Sequence, residues 1–74
     1  MINYFLNKNA VIKVAFANYS SPLSLVGKIT EMDEQFSLIT FDPQHKQNKL
    51  LFKDSKGQML VRNNYIIAIS LLNE

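Results

Sequence analysis

Few residues of this 74-residue chain are equipped for chemistry. There is one histidine, His45, and no cysteine. A lone imidazole without thiolates, a second histidine or a placed carboxylate does not make a metal site. His45 sits among lysine and glutamines in "PQHKQN", where solvation is its ordinary state. No nucleophile, base and orienting group fall at a suggestive spacing, so neither an enzyme nor a cofactor is expected. What remains is polar chemistry at turns. Asp33 in "EMDEQFS" is a natural turn-starter. Phe36 heads the strand that follows, as a core residue or as a stacking ring. In "VRNNYIIAI", Arg62, Asn63 and Asn64 are wedged between β-branched runs, and Arg62 could pair with an acid of a neighbouring subunit.

The charges are unevenly spread. Net charge is only +2, too small to announce a nucleic-acid binder by itself. Between Glu31 and Asp42 lie four acids, Glu31, Asp33, Glu34 and Asp42, with no Lys or Arg except outside that span. From Lys46 to Arg62 there are five bases against the single acid Asp54. One loop is therefore locally basic, a pattern that a solvated polar loop also produces.

These residues need a scaffold, and a chain this short buries only about 60 to 65 percent of its unfolded surface. Without disulfides or metal, self-association is a ready source of the missing stability. No apolar run approaches the roughly 18 residues of a membrane span, and "MINYFLNKNAVIKV" is interrupted by Asn and Lys too often for a signal peptide. A soluble, cytoplasmic protein is expected, with no membrane partner.

The sequence divides into short strands. "INYFLNK" puts Ile2, Phe5 and Leu6 at helical spacing, predicting a short helix within residues 1–9. "VIKVAFANY" is strand-like, closed by "NYSSP". "LSLVGKITEMD" alternates as a strand, with Gly27 marking a bend or a close approach of another backbone. "FSLITFD" follows the turn at Asp33–Gln35. Residues 42–57 are read as an extended variable loop or hairpin; "KLLFK" and "DSKG" within it, with "QMLVR" just after it, read as strand, turn and strand. "YIIAISLL" is the last strand, reached across Asn63 and Asn64 by a tight turn or a one-turn corner, for which Asn tolerates the left-handed region. The sum is one all-β domain over 1–74, with residues 11–71 forming a five-stranded, strongly bent SH3-like barrel.

Two of these segments carry a resemblance. "LVGKITEMDEQFSLI" resembles the first signature of the Sm/LSm family, in which a strand with a bend-forming glycine runs into an aspartate, two variable residues, a large side chain and an asparagine. Here those places hold Gly27, Asp33, Phe36 and Ser37. "LVRNNYIIAI" is similar to the second signature, an apolar pair followed by Arg-Gly and an Ile/Val-rich strand. With the first strand, the resemblance covers most of residues 11–71. The layout is most similar to the Hfq group of bacterial Sm-like riboregulators, which carry an N-terminal helix and a "QMV"-type strand, here "QML" at Gln58–Leu60. A weaker resemblance, to YolD-like small β domains, rests on "GKI…D" and the last strand.

The family resemblance implies a homo-oligomeric ring, closed by pairing strand 58–62 of one subunit with strand 65–72 of the next. It implies that short single-stranded U- or A-rich RNA binds in the ring pore. Carried over, Asp33 fixes the loop, Phe36 stacks on a base, Arg62 covers the other face, and Ser37 and Asn63 stand at the base edge and the close backbone approach. Ser37 replaces an amide with a hydroxyl, and Asn63 puts a side chain where the family has glycine. These two departures give the alternative: an Sm-like assembly or adaptor protein with a degenerate pocket, working through protein contacts.

Overall fold

The computed structural model describes residues 4–73 and is all-β. Its strands are β1 (Ala10–Val14), β2 (Leu23–Met32), β3 (Phe36–Phe41), β4 (Gln58–Arg62) and β5 (Ile66–Leu71). They form one antiparallel sheet in the order β4-β3-β2-β1-β5. The sheet must curl, and chain length alone requires it. In a flat sheet β4 and β5 would lie about 19 Å apart, four strand spacings. Arg62 and Ile66 are joined by a 3-10 turn over Asn63–Tyr65, and four residues reach at most about 14 Å. Strand β2 carries the bend, since Leu23–Gly27 pair with β1 and Gly27–Met32 with β3.

Gly27 sits at that handover as the sequence suggests, and the reason is space. A Cβ there would lie 2.8 Å from the Thr40 carbonyl oxygen and 2.9 Å from the Phe41 Cβ. Two residues later a register shift between Ile29 and Glu31 makes Thr30 an extra residue. Simple alternation from Ile29 would turn Glu31 inward; the bulge turns Met32 toward the core instead and leaves Glu31 exposed. The core inside the curl is Ala10, Ile12, Val14, Leu25, Ile29, Ile39, Phe41 and Val61. Each fully buried isoleucine contributes about 1.5–3 kcal/mol, which a sheet this small needs.

Three local expectations are corrected. The N-terminal helix is absent where the chain is described: Tyr4–Asn7 is a turn, Asn7 takes φ 61°, and its N–H donates to the Ile29 carbonyl. A left-handed residue ends any helix there, and the segment is too short to sustain one; Ile2 lies outside the described residues. Phe5 and Leu6 still pack against the core. The first strand stops at Val14, after which the Ala15 N–H donates to the Tyr65 carbonyl and Phe16–Tyr19 turns. Finally, "KLLFK" is a single α-helical turn, α1 (Lys49–Phe52), so 42–57 is a folded insert with no hairpin strand on its first arm.

A buried asparagine holds that insert. Val26 lies one residue beyond the last β2–β3 partner pair, Gly27 with Phe41. Its N–H donates to Asn48 Oδ1 at 2.9 Å, and its carbonyl accepts from Asn48 Nδ2 at 2.8 Å. The side-chain amide thus meets the Val26 peptide as a strand partner would, just past the end of the β2–β3 pairing. Asn48 Nδ2 also donates to the Asp42 carbonyl, and Asn48 is 1% exposed. Phe52 packs edge-on against Phe41, centroids 5.6 Å apart, and Gly57, at φ +85°, returns the chain by accepting the Phe41 N–H on its carbonyl. No helix of the described residues is long and apolar enough to cross a membrane.

Candidate nucleic-acid interface

At the opposite end of β3 from the insert, the β2–β3 turn and the β4–β5 corner meet. The turn is built by Asp33, whose Oδ1 accepts from the Gln35 N–H at 2.8 Å and the Phe36 N–H at 2.7 Å. Its own N–H donates to the Phe36 carbonyl. Two N–H donors on one carboxylate favour its charged form, so the Asp33 carboxyl is held below its ordinary value, first by Phe36 and then by Gln35.

Asn63 ties the corner to this turn. Its N–H donates to the Gln35 carbonyl, its Nδ2 donates to the Asp33 carbonyl, and its Oδ1 accepts from Ser37 Oγ at 2.5 Å. Neither Asn63 nor Asn64 is left-handed; among the described residues outside glycine only Asn7 has positive φ. The asparagine at 63 therefore works through its amide, satisfying the backbone of a turn some thirty residues away.

The outer face of the corner carries a cation and rings. Phe36 and Arg62 are direct partners across β3 and β4, and the Arg62 guanidinium carbon lies 5.3 Å from the Phe36 ring centroid. Phe36 is half-buried and Arg62 exposed. Two open clefts flank the ring: Leu38, Leu60 and Glu31 line one, and Phe16, Met59 and Tyr65 line the other, which Arg62 also borders.

All five residues singled out from the sequence, Asp33, Phe36, Ser37, Arg62 and Asn63, thus fall in one cluster, in three different situations. Asp33 and Arg62 are exposed, with Phe36 half-buried beside them. Asn63 is half-buried with its amide engaged. Ser37 is 0% exposed and its hydroxyl is spent on Asn63, so it cannot read a base edge. The guanidinium also rests on the ring itself; a base in contact with both would need about 7 Å between them, two carbon–carbon contact distances. Tyr65, half-exposed beside Arg62, supplies a second ring that sequence reasoning passed over. Its signal was an aromatic at the head of a strand directly after the corner.

Compared with models of known families, with curated proteins and with solved structures, the chain matches none of them.

Proposed function

We propose that this chain is an Sm-like protein that binds single-stranded RNA at the corner formed by Phe36, Arg62 and Tyr65. The observation that carries the reading is the convergence of Asp33–Ser37 with Arg62–Asn63, which latches an aromatic ring and a guanidinium onto one outer face. Both groups stack on base faces, and such stacking is sequence-tolerant. With Ser37 buried and the Asn63 amide engaged, this chemistry favours stacking over base-edge readout. A base enters as Arg62 swings off the Phe36 ring and closes over it.

The same reading includes self-assembly. β4 and β5 are the two edges of the sheet. Unpaired strand edges are templates for another chain. They carry exposed apolar side chains, Leu60 at 64% and Ile67 at 56% exposure. Pairing β4 of one protomer with β5 of the next covers both edges and generates a ring if the rotation closes.

Arg62→Ala tests the reading. It should weaken binding of oligo(U) or oligo(A) about 10-fold or more while leaving the oligomeric mass unchanged, since stacking contributes about 1–3 kcal/mol per base. Absence of any interaction between the wild-type protein and single-stranded oligomers at low salt overturns it. The buried, engaged Ser37 favours a second reading, an assembly or adaptor protein of the same fold; recovery of one protein partner and no nucleic acid would select it.

A further inference from the structure

The insert between β3 and β4 ends in a basic surface that the corner does not use. The Lys49 N–H donates to the His45 carbonyl and the Phe52 N–H to the Asn48 carbonyl, so the turn before α1 winds into it and residues three or four apart there share a face. Lys46, Lys49 and Lys53 lie on that face and line one open groove with Gln44 and Leu50, and no acidic side chain lines it. Gln44 is fixed there, its Nε2 donating to the Lys53 carbonyl at 3.0 Å. Leu50 is 87% exposed, the most exposed large apolar residue among those described.

Solvated lysines on a floppy loop would be unremarkable, but this loop is built. The buried Asn48 amide fastens its middle to β2, Phe52 packs on Phe41, and the Asp42 carboxylate is turned back onto the Gln44 N–H. The lysines are therefore presented from a fixed platform. The molecule is also polarised along β3: Glu31, Asp33 and Glu34 are exposed at the corner end, and the lysines are at the insert end, about 17 Å away at the rise of a strand. A polyanion is repelled by the first end outside its one arginine and attracted by the second.

We propose that the groove of Lys46, Lys49 and Lys53 is a contact surface for the sugar-phosphate backbone of a single nucleic-acid strand, with Leu50 against sugars or base faces. This rests on the reading that the partner is a nucleic acid, and uses none of the corner residues. A row of lysines one helical turn apart matches successive phosphates of an extended strand. An uncharged leucine at its centre suits a chain that alternates charged and apolar groups.

The experiment is a salt titration of oligo(U) and oligo(dT) binding to the full chain, comparing wild type, the triple variant Lys46→Gln/Lys49→Gln/Lys53→Gln, Leu50→Ser and Arg62→Ala. Thermal melting checks that each variant is folded; these are surface positions and should melt within a few degrees of wild type. Each phosphate contact to a single strand contributes about 0.7 to the slope of log affinity against log salt. The triple variant should therefore lose about 2 from that slope and bind about 10-fold or more weakly at low salt. Leu50→Ser should weaken binding a few-fold at unchanged slope, and Arg62→Ala should weaken it with little change in slope. If Arg62→Ala is silent while the lysine variant fails, the corner reading falls and the insert stands. Wild-type slope and affinity in the triple variant overturn this inference and leave the corner standing. Lysine-dependent binding to vesicles of equal phosphatidylcholine and phosphatidylserine, or to polyglutamate, with none to the oligonucleotides, also overturns it.

Discussion

Two asparagines hold the two ends of β3, at different depths. Asn48 is buried and spends its amide on Val26 and Asp42, meeting the Val26 peptide as a strand partner would. Asn63 is half-buried and spends its amide on Ser37 and Asp33, joining two loops. In both cases a side chain performs backbone work, because an amide offers the same donor and acceptor as a peptide. The difference in depth separates their consequences. The deep latch sets whether the insert and the end of the sheet are folded; the shallower one sets where the Phe36–Arg62 pair stands.

Breaking the deep latch should have the largest effect. Asn48→Ala leaves the Val26 N–H and carbonyl without their partners, which costs about 2–4 kcal/mol for several buried polar groups. In a domain of this size that lowers the melting temperature by about 10 °C or more, measurable by circular dichroism. The shallower latch should matter less. Asn63→Ala strands the buried Ser37 hydroxyl and frees the Asp33 carbonyl to water, for a loss of about 1–2 kcal/mol in urea titrations. It should also disturb the corner, so oligonucleotide binding falls with stability, whereas Asn48→Ala under folding conditions leaves the corner's contacts in place.

Arg62→Ala sharpens the comparison from the other side. Its cation–π pair is exposed and contributes about 0.5–1 kcal/mol to stability, so melting should fall by only a few degrees while binding drops. Asp33 gives the smallest effect. Its carboxyl is lowered below the ordinary 3.8 in the folded chain, so the stability it adds is present at neutral pH, begins to fall as pH drops toward that value, and is gone below the lowered one. Asp33→Asn, whose amide oxygen still accepts backbone N–H groups, should flatten the acid limb of stability against pH. An unchanged acid limb would remove Asp33 from this account.

What could be read from the chain follows the range of the forces involved. Asp33 as turn-starter, Gly27 as a point of close approach, and the one-turn corner at Asn63 rest on local chemistry, and the structure has all three. "KLLFK" misled because a short apolar run fits strand and helix alike. The helical turn wins since it lets Asn48 reach Val26 and Phe52 reach Phe41, contacts no window of sequence contains. Asn63 looked like an obstruction in the place of a glycine; its side chain instead turns inward, to a serine 26 residues away. Ser37 stands where the resembled signature has a base-reading asparagine, but a serine at an inward-facing position of β3 with a partner for its hydroxyl is core. Tyr65 and Asn48 were passed over because a ring after a turn and an amide in a polar loop look like ordinary surface residues.

The central claim is that nucleic acid meets the outer face of the corner. Photo-crosslinking of oligo(U) carrying 4-thiouridine, followed by mass mapping of the modified peptides, tests it most directly. Adducts on Phe36 or Tyr65, reduced in Arg62→Ala, are the expected result. Crosslinks confined to residues elsewhere on the protein, or a pattern indifferent to Arg62, would contradict it.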